Sequence, residues 1–131
     1  HAPPEFMLVV SYNPGYQNLL KSLKPSTRQR FVSVSLGFPP PDVEAEIIMS
    51  EAGVDAALAR RLVQLGQSLR ALKDHDLEEA ASTRLLVYAA TLMRSGFPSM
   101  EACQAALVES LTDDEVTAEA LMEVVRVTFG Q

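Results

Sequence analysis

Hydrophobic positions along this chain change their spacing once, at the proline run Pro39-Pro40-Pro41. Before it, Phe6-Met7-Leu8-Val9-Val10 is a continuous apolar run that ends in the turn-forming cluster Ser11-Tyr12-Asn13-Pro14-Gly15. A short apolar run bounded by turn residues predicts a strand buried on both faces, as in a parallel sheet. Gln17 to Leu23 then places Leu19, Leu20 and Leu23 on one short helical face, which Pro25 breaks. Ser26 or Thr27 can cap a further turn. Phe31-Val32-Ser33-Val34-Ser35-Leu36 alternates apolar and polar residues with β-branched side chains, which predicts a second strand.

Beyond the prolines the period is helical throughout. Asp42 can cap a helix through Ile47, Ile48 and Met49 that stops at Gly53. Asp55 can cap the next, with Leu58, Leu62, Leu65 and Leu69 on one face through about Lys73. A polar connector, Asp74 to Glu79, leads to a third helix carrying Leu85, Leu86, Tyr88, Ala89, Leu92 and Met93 and ending at Ser95-Gly96. Ser99 can cap a fourth through Cys103, Leu107 and Leu111, and a fifth runs through Leu121, Val124, Val125 and Phe129. The acidic run Asp113-Asp114-Glu115 suits the N-terminus of that last helix.

The expected fold is therefore α+β but mostly α. Residues 1–38 form the strand–helix–strand end of an α/β domain, and residues 39–131 form a bundle of four or five helices. Two strands and one helix do not make a stable sheet, so the first part expects further strands from a larger domain. Failing those, its apolar strands are expected to pair with a second copy of the chain or to leave residues 1–38 without fixed order.

Composition narrows the function classes. With 47% apolar and 21% charged residues, the 131-residue chain belongs among globular rather than disordered proteins. Its longest apolar run is far too short to cross a bilayer, so no membrane association is expected. The lone Cys103 permits no internal disulfide and no thiolate cluster, which suits a reducing cytoplasm. The net charge of −6 argues against non-specific nucleic-acid binding, yet residues 1–38 are net +3 and residues 39–131 net −9. Cys103 is expected to be packed and His75 solvated, while the five methionines are expected as core filler and no metal site is expected.

Three constellations carry candidate chemistry. Asn13 and Pro14 follow the first strand, where α/β sheets bind ligands, although an Asn-Pro pair there is more often simply a turn. Arg28 and Arg30 precede the second strand, and their forked guanidinium donors suit phosphate oxygens as well as they suit acidic surface neighbours. Arg84 lies in the first turn of the third bundle helix, after Ser82 and Thr83, where the helix dipole disfavours a cation. It calls for an anionic partner, either an acid of the connector or a phosphate.

The order Asn13-Pro14-Gly15-Tyr16-Gln17, then Leu23 through Arg30-Phe31, then Ala81-Ser82-Thr83-Arg84-Leu85-Leu86-Val87-Tyr88 resembles the CbbQ/NirQ/NorQ family of MoxR-type AAA+ ATPases. The resemblance covers nearly the whole chain. It implies that Asn13 is the sensor 1 residue, which orients the attacking water, and that Arg30 is the arginine finger, with Arg28 contending for that role. It implies that Arg84 is the sensor 2 arginine of a helical lid. It further implies ATP and Mg²⁺ as cofactors of the full-length protein, a hexamer, a von Willebrand A-domain partner, and a client enzyme of nitric oxide reductase or Rubisco type.

No Gly-x-x-x-x-Gly-Lys-[Ser/Thr] loop and no paired acidic Walker B strand occur in the sequence. The chain by itself is therefore expected neither to hold nucleotide nor to hydrolyse it. The opening His1-Ala2-Pro3-Pro4 is expected to reflect truncation of a longer protein. A stand-alone helical interaction module with no nucleotide role is the rival reading, and an upstream phosphate loop in the same reading frame would exclude it.

Overall fold

The computed structural model describes residues 1–11, 24–72, 77 and 79–130, and the chain divides into two units, residues 1–36 and 37–131. In the first unit the one described helix is α1, the single turn Pro25–Arg28. It starts on Pro25, whose missing N–H suits a first helical position, and neither Ser26 nor Thr27 caps it.

The described residues contain no strand, which corrects the strand–helix–strand expectation for residues 1–38. Phe6–Val10 and Phe31–Leu36 pair with no described segment, and apart from the half-buried Phe31 their apolar side chains are open to solvent, Phe6 at 64% and Val32 at 95% exposure. Strand backbone groups are satisfied by a neighbouring strand, and no described segment supplies one. The expected helix at residues 17–23 and Asn13 lie outside the described residues.

The second unit is a helical bundle. The helix α2, Pro41–Ala52, opens on prolines rather than on Asp42, and the Glu44 N–H reaches the Pro40 carbonyl. Gly53 ends it in the left-handed region at φ 67°, and the Arg94 guanidinium also donates to the terminal Ala52 carbonyl. In α3, Ala56–Ala71, Asp55 is the N-cap and accepts from the Leu58 N–H at 2.8 Å. Next, α4, Thr83–Arg94, is capped by Ser82 and stops in a Schellman motif. There the Phe97 N–H bonds to Leu92 and the Gly96 N–H to Met93, with Gly96 at φ 101°.

A continuous helical stretch follows without Ser99 as its cap, since Pro98 occupies that place. It consists of α5, Ser99–Cys103, a π-helical segment, Gln104–Val108, and α6, Glu109–Leu111. Last, α7, Glu115–Phe129, is capped by Asp114, which accepts from the Thr117 N–H at 2.8 Å.

The helices close over one apolar core. Ile48 of α2, Leu62, Leu65 and Leu69 of α3, Leu86 of α4, Leu107 of the π segment, and Leu121 and Val125 of α7 are fully buried in it. Each such side chain contributes about 1.5–3 kcal/mol on burial. Gly66 admits the close approach of α3 and α4, because a methyl there would lie 2.8 Å from Leu86 Cδ1. Cys103 is packed in this core, and burial pushes its thiol up to about 12, so it is no nucleophile. Two methionines depart from the expected core role: Met7 is solvent-exposed in the first unit, and Met49 lies on the open side of α2. No described helix is long and apolar enough to cross a membrane.

Candidate functional site

The N-terminus of α4 is where the helical unit gathers its buried charge. Glu44, 1% exposed, lies in the first turn of α2 on the same face as Ala45 and Ile48. Its two carboxylate oxygens accept from Arg70 of α3 in a forked pair, Nη1 to Oε2 at 2.9 Å and Nη2 to Oε1 at 2.6 Å. The Thr83 hydroxyl donates to the same Oε1 at 2.7 Å. Arg70 Nε donates to the Ala81 carbonyl at 2.8 Å, and the Phe38 ring covers the guanidinium plane, 3.8 Å from its centroid. No buried side-chain polar atom among the described residues lacks a partner.

The electrostatics of Glu44 follow from that geometry. Burial alone raises its pKa, but the hydrogen bonds from Arg70 and Thr83 and the Arg70 charge together outweigh it. The carboxyl is held below its ordinary value and stays ionised at neutral pH.

Arg84 follows Thr83 directly and is exposed. The other described arginines of the bundle are mostly committed. Arg61 donates to the Thr128 carbonyl at the end of α7 and lies over Phe129, and Arg94 serves the end of α2. Arg126 pairs with Glu119 and Glu123 on the surface. Among the described residues no carboxylate lies within ion-pair distance of Arg84, and Glu79 of the connector is not its partner. The connector acids Asp74, Asp76 and Glu78, and His75, lie outside the described residues.

Arg28 and Arg30 belong to the first unit, and both are exposed. Arg28 closes α1, and the Arg30 N–H bonds to the Thr27 carbonyl just past it. The described residues hold no cluster of acids, cysteines and histidines that suits a metal ion. An open depression of about 250 Å³ lined by Pro41, Asp42, Arg60, Val63, Gln64 and Gln67 includes none of the candidate residues.

Glu44 and Arg70 escaped the sequence analysis, which named Thr83 only beside Ser82 and Arg84. Glu44 shares the apolar stripe of Ala45, Ile48 and Ala52, and Arg70 follows Val63 and Gly66 by seven and four positions. An acid and a base each standing on an apolar stripe is a legible signal for a buried pair. Which acid meets which base is not legible, because their separation along the chain is 26 residues.

Comparison with known proteins places the chain. Residues 44–128, which include Glu44, Arg70, Thr83 and Arg84, match the family described as CbbQ/NirQ/NorQ C-terminal. The chain is 61% identical over 129 residues to denitrification regulatory protein NirQ of Stutzerimonas stutzeri, which covers 98% of this chain and 47% of that protein. It is 52% identical to protein NorQ of Paracoccus denitrificans, over 98% of this chain and 48% of the relative. Protein CbbQ of Hydrogenophilus thermoluteolus is 47% identical over the same shares of each chain. The chain thus spans about half the length of the curated relatives it matches. With the matched stretch taking in most of the sequence and all of the buried charge cluster, the chain belongs to the CbbQ/NirQ/NorQ family.

Proposed function

We propose that this chain works as the C-terminal part of a cytoplasmic, hexameric AAA+ ATPase that uses ATP hydrolysis to activate or remodel a client enzyme. Clients of nitric oxide reductase or Rubisco type and a von Willebrand A-domain partner protein complete the proposal. In it, residues 1–38 end the α/β core and residues 39–131 are the helical lid. The observation that carries it is Arg84: an exposed cation on the first turn of a well-capped helix, with no described carboxylate beside it. Helix N-termini favour anions, so the arginine and the backbone N–H groups there attract the same kind of ligand.

The residues present suit a contact to a phosphate oxygen rather than a whole nucleotide site. Arg84 has donors to offer, whereas the sequence has no phosphate loop and the described residues no carboxylate cluster for Mg²⁺. When bound, ATP with Mg²⁺ supplies the phosphoryl group and much of the charge neutralisation. This chain's residues add position and charge. Arg30, or Arg28 in its place, presents a planar fork to the phosphates of a neighbouring subunit's site, Asn13 orients the attacking water, and Arg84 senses nucleotide from the lid.

The test uses the full-length protein. Arg30→Ala is expected to lower ATP turnover by roughly 10³–10⁵ while leaving nucleotide binding nearly intact, since a finger acts on transition-state charge. Arg84→Ala is expected to weaken nucleotide binding itself. Wild-type turnover in Arg30→Ala moves the finger to Arg28, and wild-type behaviour in all three variants, Arg28→Ala included, sinks the ATPase reading.

A further inference from the structure

An ion pair buried only for stability is a poor investment of structure, because desolvation roughly offsets the attraction and an apolar pair does as well. The Glu44–Arg70 pair does something an apolar pair cannot: it sends directional bonds to both sides of the α4 cap. Arg70 Nε holds the Ala81 carbonyl, the residue before the Ser82 N-cap, and Glu44 Oε1 holds the Thr83 hydroxyl, the first helical residue. Residues 81 to 83 are thereby pinned against α2 and α3, and the next residue is Arg84. Phe38, stacked on the guanidinium plane, packs Arg70 from the side. Lysine cannot reproduce this, since three nitrogens of one rigid plane serve three oxygens.

We propose that Glu44, Arg70 and Thr83 are positioning residues for Arg84, holding the first turn of α4 so that its guanidinium meets an anionic phosphate ligand without local ordering. The proposal rests on the reading of Arg84 given above. Its effect is on affinity: a loosened first turn must be ordered each time the ligand binds, and that ordering is subtracted from binding.

Binding of ATP with Mg²⁺ to the full-length protein, measured by calorimetry, tests it through single and double variants. Arg84→Ala is expected to weaken binding about 10- to 100-fold, as for loss of a charge-assisted hydrogen bond. Thr83→Val and Arg70→Lys are each expected to weaken it roughly 3- to 10-fold. In the Arg84→Ala background neither is expected to weaken it further, because both act through that side chain. Thr83→Val leaves the Glu44–Arg70 pair in place, so it carries the test even where Arg70→Lys fails to fold. If Arg84→Ala weakens binding but Thr83→Val binds as wild type, or its effect multiplies with that of Arg84→Ala, the positioning role is wrong and the reading of Arg84 stands. If Arg84→Ala binds ATP as wild type does, the reading of Arg84 as a nucleotide contact falls and the positioning role with it.

Discussion

At the residue scale the informative group is Glu44, because its ionisation is tied to the fold. Its pKa is lower in the folded chain than its ordinary value of 4.5. A depressed folded-state pKa contributes stability that is fully present above the unfolded value and is lost as pH falls through the folded one. Urea unfolding followed from neutral pH down to about pH 3 is therefore expected to show stability falling below 4.5, with a shallower fall in Glu44→Gln. An equal slope in the variant would detach the pair from acid sensitivity. Arg70→Ala is expected to cost about 3–5 kcal/mol at neutral pH, since it strands a buried carboxylate. Glu44→Leu combined with Arg70→Leu is expected to cost less than Arg70→Ala alone, because no buried charge remains. Arg84 itself was readable from the sequence by its place next to a cap. Its isolation from described carboxylates was not, because neighbours in space come from other helices.

At the element scale the helix ends were the most legible feature, since capping is local chemistry. Asp55 and Ser82 cap as their types predict, and Gly53 and Gly96 stop their helices. Prolines stand where Asp42 and Ser99 are expected to cap. Pro41 takes the first helical position of α2, where it sets a helical φ and needs no hydrogen-bond acceptor. Pro98 takes the N-cap position of α5, where its carbonyl accepts from the Ala102 N–H. Gly96 offers a clean measurement: a methyl there would meet nothing within 4 Å, so any cost is backbone strain alone. Gly96→Ala is expected to destabilise the helical unit by about 1–2 kcal/mol by thermal or urea unfolding, and Gly96→Asn by less. No loss in Gly96→Ala would mean that α4 ends without needing a left-handed residue. The apolar runs at Phe6–Val10 and Phe31–Leu36 show the opposite case. Their patterns are those of strands, but a strand's hydrogen bonds belong to its neighbour, and none is described here.

At the scale of the whole molecule the core formed by the described residues lies within residues 37–131. A chain starting at Gly37 is expected to keep nearly all the helicity of the full sequence by circular dichroism. One starting at Asp42 is expected to be less stable, having lost the Phe38 ring over Arg70 and the Pro40 carbonyl that accepts from Glu44. Equal stability of the two would show that those contacts contribute nothing. The exposed apolar side chains of residues 6–10 and 32–36 are expected to make the full sequence self-associate with concentration in sedimentation, while the chain from Gly37 remains monomeric. By itself the sequence determined the helical period, the cap at Asp55, the glycine stops at Gly53 and Gly96 and the family, because each rests on residues close together or on motifs in order. Only the tertiary structure decided that Glu44 and Arg70 meet, that Thr83 joins them and that Gly66 admits Leu86. Those contacts join helices through side chains far apart along the chain, and helical periodicity names the face of a helix but not the face it packs against.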